Sequence, residues 1–310
     1  MMQAIDNTPA AFPAARDILQ DLARQVYPPA TLYVVATPIG NAGDISLRAL
    51  HLLSIADAIA CEDTRNTAQL LHRYGLTAEL LAAHQHNERE AAAKLIQRLQ
   101  DGARIALVSD AGTPAVSDPG ARVVDAVRAA GLRVVPIPGA SAAVAALSAC
   151  GLPQTQFHFV GFLPPKAGQR DAALLALKNV AATLVFYEAP HRVEETVAAL
   201  ARAFEAERQI VFARELTKLF EEIHRCPLSE ATAWLAADAH RRKGEFVLLL
   251  EGAAEADSGD EAEAERVLAI LLQECPVSQA AGLAAKITGI KKNRLYERAL
   301  QLRSEKPATD

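Results

Sequence analysis

The chain has 310 residues, 51% hydrophobic and 22% charged, with a formal charge of −5, so it can bury a sizeable core in about two domains. That charge excludes a general attraction to nucleic acid, and any such partner has to be met by a local basic surface. No apolar stretch approaches the ~20 residues that cross a bilayer, and the N-terminal residues lack a basic region followed by an apolar one, so a cytoplasmic protein with no membrane partner is expected.

Residues 1–30 read as a loose extension with room for one short helix and no catalytic pattern. From Thr31, apolar runs of strand length alternate with Ala/Leu-rich segments of helical period, which predicts a first α/β domain over 31–150 with a largely parallel sheet. Its strands are predicted at 31–36, 58–61, 104–109 and 133–137. Ser46 is suited to cap the first intervening helix, and Gly75 and Gly131 to stop later ones. "PGASAAVAALSACG" (138–151) reads as a tight loop feeding a helix of small residues, which permits close packing. A second α/β domain, 151–252, carries more aromatics and a more antiparallel sheet, with strands at 157–162, 183–188, 209–215 and 245–252 and helices near 170–180, 191–204 and 228–239. An acidic linker at 253–265 precedes a tail, 266–304, read as three short helices broken at Pro276 and at "TGI". Cys61, Cys150, Cys226 and Cys275 form no C-x-x-C pair, which predicts free thiols and no metal centre.

Three loops that follow strands share one composition: "ATPIGNAGDIS", "SDAGTPAVSDPG" and "IPGASAA". Gly, Pro, Ser, Thr, Asp and Asn let a backbone approach a ligand closely and offer hydroxyl and main-chain hydrogen bonds. None of the three contains Lys or Arg, and the chain has neither a P-loop nor a clean G-x-G-x-x-G after the first strand, which argues against a polyphosphate. A ligand with a nucleoside end and an amino-acid end suits them better. Asp110 and Asp118 also fit the simpler role of turn or helix caps.

"TPIGNAGDISLRAL", "CEDTR" (61–65), "SDAGTPAVSDPG", "PGASAA", "GFLPPK" (161–166), "EAPHR" (188–192) and "RELTKLFEE" (214–222) together resemble the tetrapyrrole-methylase superfamily. The start "TPIGN", less glycine-rich than that of the tetrapyrrole enzymes, is similar to the branch that methylates small-subunit ribosomal RNA. The resemblance implies two α/β domains with S-adenosylmethionine in the cleft between them, a homodimer, and 2′-O-methylation of a cytidine of 16S rRNA at the decoding centre. Carried over residue by residue, it assigns the cofactor to Ile39, Gly40, Ala111, Gly112, Thr113, Val116, Ser141 and Ala142, with Tyr187, Glu188, Leu216 and Phe246 on the opposite wall.

The charged motifs at strand ends supply the remaining candidates. Glu62, Glu188 and Lys218 are the candidate proton acceptors, and Arg65, Arg192 and Arg214 suit RNA phosphates. An ion-pair network joining the two domains is the alternative reading of the same charges. Within the tail, "AAKITGIKKNRLYERALQLR" (284–303) places Lys286, Lys291, Lys292, Arg294, Arg298 and Arg303 against one acid, Glu297, with helix-turn-helix spacing and a turn near Gly289. Lys291, Lys292 and Arg294 are the tail's candidate RNA contacts, and a solvated basic helix is the simpler reading. Two alternatives stand beside the rRNA enzyme: a tetrapyrrole methyltransferase of the same superfamily, and a non-catalytic nucleic-acid-binding ligand sensor.

Overall fold

The computed structural model describes residues 15–84, 87–153, 155–253 and 261–304. Helix α1 (Ala15–Arg24) is the short helix expected in the extension, whose residues 1–14 lie outside the described ones. The first half then runs β1 (Thr31–Val35), α2 (Leu47–Ile55), β2 (Ala58–Cys61), α3 (Thr64–Arg73), β3 (Leu80–Ala82), α4 (Glu88–Gln100), β4 (Arg104–Leu107), α5 (Ala121–Ala129), β5 (Arg133–Ile137) and α6 (Ala142–Ala149). Its five strands pair in the order β3-β2-β4-β1-β5, all parallel. Parallel strands covered on both faces are near-continuous apolar runs, and "AIAC" of β2 is buried along its whole length. Ser46 caps α2 by accepting from the Ala49 N–H at 3.1 Å, and Gly75 and Gly131 take positive φ just beyond α3 and α5, as those helix stops require. Three-residue β3 falls outside the predicted strands, because "LLA" is too short to show a period.

Strand order explains why the three Gly/Pro loops act together. β1 lies between β4 and β5, so the loops leaving these strands emerge side by side at the carboxyl edge, where the order reverses direction. They are stitched to one another. Thr37 and Gly112 exchange backbone hydrogen bonds of 2.9 and 3.1 Å, the Thr37 hydroxyl reaches the Ser109 carbonyl at 3.1 Å, and the Thr113 hydroxyl reaches the Ala140 carbonyl at 3.1 Å.

The second half comprises β6 (Phe157–Phe162), α7 (Ala167–Ala176), β7 (Thr183–Glu188), α8 (Val193–Ala203), β8 (Gln209–Arg214), β9 (Glu222–Pro227), α9 (Leu228–Ala236) and β10 (Phe246–Leu250). The sheet order is β6-β7-β10-β8-β9, with only β6 and β7 parallel. Strand β9, "EIHRCP", also falls outside the predicted strands, because its alternation carries mostly polar residues. Alternate side chains of β7, β8 and β10 enter two cores. Leu184, Phe186, Phe212 and Leu248 meet α8 and α9, while Val185, Val211, Val247 and Leu249 meet Ala143 and Ala146 of α6. The small-residue helix of the first half therefore packs directly on the second sheet.

Helices α10 (Glu261–Glu274), α11 (Val277–Thr288) and α12 (Lys292–Ser304) enclose a separate cluster around Leu268, Ala281, Ile290 and Leu295. The breaks fall at Pro276 and at Gly289, which is left-handed. Of the predicted acidic linker, residues 254–260 lie outside the described ones. Residues 261–265 are instead the start of α10, since Glu and Ala are good helix formers. Among the described residues no helix is long and apolar enough to cross a membrane.

Two glycines let the halves touch. A Cβ on Gly40 would lie 2.6 Å from Lys218 Cγ and 2.8 Å from Thr217 Oγ1, and one on Gly161, at φ +71°, would lie 2.7 Å from Ser117 Oγ. Gly40→Ala forces the 216–218 loop outward, and overpacking of this kind costs about 1–3 kcal/mol. Urea unfolding is expected to show that loss, together with weaker ligand binding in the adjoining cleft.

Candidate active-site cleft

A cavity of about 290 Å³ lies between the stitched loops and the second sheet, near the lower end of small-molecule sites. All the residues assigned to the cofactor from sequence line it except Gly40, whose role is the close approach just described. Ile39, Gly112, Thr113, Val116, Ser141 and Ala142 form one wall, and Tyr187, Leu216 and Phe246 stand on the other. The Tyr187 ring meets Phe159 and Phe162 edge-on at 5.1 and 5.8 Å, and its hydroxyl oxygen accepts from the Ala143 N–H at 3.2 Å. That bond fixes the start of α6 against β7. Burial, first of all, pushes the Tyr187 hydroxyl's pKa up.

Both loops that approach from opposite sides are strained. Ala115 and Ser117 take φ of +67° and +62°, and Glu215 and Thr217 take +50° and +66°, values that non-glycine residues adopt at a cost of about 1–3 kcal/mol each. Strand β8 stops at Arg214, one residue short of the predicted end at Glu215, because the backbone turns left-handed there. The two loops are held by cross-contacts: Ser117 sits beneath Gly161, and the Asn41 N–H donates to the Thr217 hydroxyl at 3.1 Å.

The charged candidates divide into three groups. Lys218 Nζ donates to Glu215 at 2.9 Å and Glu245 at 2.8 Å. Partial burial lowers its pKa, the two carboxylates raise it further, and the net shift is upward. Lys218 therefore stays an ammonium with no lone pair, which tells against its expected use as a proton acceptor. Glu188 is almost wholly buried and accepts from the Thr196 hydroxyl at 2.6 Å and the Ala189 N–H at 2.9 Å, with Arg192 Nε at 3.4 Å. Its oxygens are engaged in holding β7 to α8, so its candidacy gives way to a structural role. Glu62 does not line the cavity, and its pKa is raised by burial, then by Asp110.

Among the arginines expected to meet RNA, Arg192 donates to the Leu163 carbonyl at 2.6 Å and is mostly buried. Arg214 reaches Glu222 at 3.1 Å and the carbonyls of His240 and Lys243 at 3.3 and 3.2 Å. Both brace the second half from within, which corrects the RNA expectation for them. Their ion pairs, to Glu188 and Glu222, lie inside that half and do not form the expected network between domains. Arg65 differs: its side chain is 86% exposed, with Asp63 at 2.9 Å. Asp63 caps α3, and its carboxyl is pulled down to about 2 by the Arg65 side chain first and then by the Arg65 N–H. Lys291, Lys292 and Arg294 are exposed at the start of α12, and none of them lines the cavity.

Asp118, Phe162 and Glu245 also line the cavity, although the sequence assigns none of them to it. Asp118 does not cap α5, whose N-cap is Gly120, held by Glu88 through a bond of 2.9 Å from the Gly120 N–H. The Asp118 carboxyl is pushed up to about 6, chiefly by burial and then by Glu62, with Ser109 pulling it back and Asp110 raising it again. Its signal is present in the sequence, since Asp118 belongs to the second of the three loops. The capping alternative masks it.

A family model described as Tetrapyrrole (Corrin/Porphyrin) Methylases matches residues 31–232, and one described as the RsmI C-terminal HTH domain matches 258–303. The fold recurs in the methyltransferase CobJ, with TM-score 0.55 and 22% identity over 72% of this chain and 94% of that one. It recurs also in uroporphyrin-III C-methyl transferase from Thermus thermophilus complexed with S-adenosylhomocysteine, with TM-score 0.51 and 20% identity over 72% and 97% of the two chains. Fold and family match together place the chain in the tetrapyrrole-methylase class of proteins. Over 273 residues the chain is 51% identical to ribosomal RNA small subunit methyltransferase I of Pseudomonas aeruginosa, covering 87% of this chain and 97% of that protein. With the protein of the same name from Escherichia coli O157:H7 it shares 49% over 270 residues, 87% and 94% of the two chains. The chain belongs to the ribosomal RNA small subunit methyltransferase I family.

Two stability measurements check these assignments. Arg214→Ala removes ties among β8, β9 and residues 240–243 and is expected to lower stability by about 1–3 kcal/mol, whereas Arg65→Ala leaves the unfolding midpoint unchanged. For Asp118, the folded-state pKa lies above the ordinary 3.8, so the fold binds the proton more tightly than the unfolded chain. Its charge therefore costs stability above about pH 6 and costs nothing below about pH 4. Asp118→Asn is expected to raise the thermal midpoint at pH 8 and to lose that advantage at pH 4.

Proposed function

We propose that the protein transfers a methyl group from S-adenosylmethionine to the ribose 2′-oxygen of a cytidine in 16S rRNA, at the decoding centre of the small ribosomal subunit. The observation that carries this reading is the cavity where the three loops meet the second sheet. The relatives' shared name, ribosomal RNA small subunit methyltransferase I, points to the substrate. A cytoplasmic homodimer belongs to the same proposal and rests on the family resemblance.

The residues present fit the cofactor. Ala111 to Thr113 and Ser141 to Ala142 bring polar main chain up to the cavity wall, and Ile39, Val116, Leu216 and Phe246 supply apolar faces for a nucleoside. Glu215, Lys218 and Glu245 together leave one net negative charge beside the cavity, which favours a cationic ligand over a phosphate. When bound, S-adenosylmethionine supplies an electrophilic methyl group on a sulfonium. The two strained loops hold the cavity walls in place before any ligand arrives, and orientation of this kind contributes about 7–11 kcal/mol in favourable cases. Arg65 near the carboxyl edge, and Lys291, Lys292 and Arg294 on the tail, are exposed cations of the kind that meets RNA phosphates.

The basic tail also weighs against the tetrapyrrole alternative, since a tetrapyrrole needs no helix-turn-helix module. A nucleic-acid-binding ligand sensor would bind the cofactor without turnover. Incubation with labelled S-adenosylmethionine and small subunits lacking the modification is expected to place label on a ribose of 16S rRNA. Label in a tetrapyrrole instead, or in neither, rejects the proposal. Removal of residues 266–304 is expected to weaken binding to the small subunit and to flatten its salt dependence by about 0.7–0.9 log units for each phosphate the tail neutralises. Equal salt slopes with and without the tail would remove the RNA role of these helices.

A further inference from the structure

We propose that Asp118 is the catalytic base, the group that takes the proton from the ribose hydroxyl as it is methylated. The inference rests on the function proposed above and adds the residue that performs its proton transfer.

Three carboxylates line the cavity: Asp118, Glu188 and Glu245. Glu188 is engaged by Thr196, Ala189 and Arg192, and Glu245 is held by the Lys218 ammonium. Among the described residues, no ion pair within 4.0 Å involves Asp118. A base has to keep an oxygen lone pair open toward the substrate. Asp118, hydrogen-bonded to Ser109 and in no ion pair, does so in a half-buried setting, whereas Glu245 is paired with the Lys218 ammonium and its side chain is 77% exposed. Lys218, the remaining ionisable group of the sequence candidates in the cavity, is doubly paired and protonated.

The backbone around Asp118 is built for placement. Ser117 sits at φ +62° and is trapped beneath Gly161 of β6, where a Cβ on Gly161 would meet its Oγ at 2.7 Å. On the other side, the Gly120 N–H is anchored by the buried Glu88 at 2.9 Å. Asp118 is thus fixed at both ends, between one clamp from the second sheet and one from α4, and its backbone has little freedom to swing away. Backbone strain that persists only because its surroundings over-determine it is a common property of residues placed for chemistry.

The chemistry balances. The O–H bond of the ribose breaks with its proton passing to an Asp118 carboxylate oxygen, an O–C bond forms to the methyl group, and the donor's S–C bond breaks to leave a neutral thioether. One negative and one positive charge disappear together. A half-buried carboxylate beside an apolar wall is held at a cost that this neutralisation relieves, so the environment favours the transition state over the ground state. The ionisable groups that face Asp118 are Glu62 from the loop after β2, Asp110 from its own loop and Tyr187 from β7. Glu88 and Arg122 lie just beyond, at Gly120. Burial and the acids among these neighbours put its pKa at about 6, close enough to neutrality for the base to be both ionised and strong.

The test is a single-turnover methylation assay on small subunits across pH 5 to 8.5, with wild type and Asp118→Asn. Wild type is expected to gain rate tenfold per pH unit up to about 6 and then level off. Asp118→Asn is expected to lose ~10²–10⁴-fold in rate and the inflection with it. S-adenosylhomocysteine binding, read by calorimetry, stays within about threefold of wild type, and the thermal midpoint at pH 8 does not fall, which separates a lost base from a lost fold. A flat wild-type profile, or an Asp118→Asn protein that keeps its rate and its inflection, overturns the assignment while leaving the function intact. Wild type that methylates no ribose overturns the function and this assignment together.

Discussion

Everything at the cleft depends on two close approaches between the halves, each made possible by a glycine. Gly40 lets the loop after β1 lie against Thr217 and Lys218, and Gly161 lets β6 lie on Ser117. At both contacts the facing loop carries non-glycine residues at positive φ, a conformation that relaxes unless something presses on it. The contacts supply that pressure. Cavity, strained loops and interlocked halves are therefore one construction, in which the stability of the second sheet holds the first sheet's loops in shape.

Charge is distributed by the same logic. Arginines that look alike in sequence separate into buried braces and an exposed, singly paired group. Arg192 and Arg214 are mostly buried and satisfied by carbonyls and single carboxylates, an arrangement in which a guanidinium acts as a multi-point brace. Arg65 projects from the start of α3 into solvent, where a phosphate can compete with Asp63 for it. The cavity itself contains more acid than base, suited to a cationic ligand, and the basic surface is displaced to the tail. An acidic chain can in this way serve a polyanionic partner without placing its cations in the small-molecule pocket.

Much of the fold is legible in the chain because its signals are local. Apolar runs such as "AIAC" and "FVLLL" have strand length, and Ser46, Gly75 and Gly131 mark helix ends within a few residues of the helices they bound. β3 and β9 are not legible, the first because three residues carry no period and the second because an edge strand keeps polar side chains on both sides. Residues 261–265 look like linker from their charge, yet Glu and Ala favour helix once a partner surface is available.

For the site, the sequence by itself determined the materials: three glycine- and proline-rich loops without cations, and the motifs that mark the family. Only the tertiary structure decided that these loops are neighbours, since strand order places β1 between β4 and β5, and order within a parallel sheet is not written in any one segment. It also decided which charges are spent. Whether Glu188 or Lys218 retains a free lone pair depends on Thr196, Arg192, Glu215 and Glu245, partners that converge only when the second sheet has formed. Asp118 shows the same dependence in reverse. From the chain it fits a helix cap as well as anything else, and its exposure to the cavity follows from clamps at Ser117 and Gly120 that come from residues distant in sequence. A side chain's type is a property of the sequence, and its availability is a property of everything packed around it.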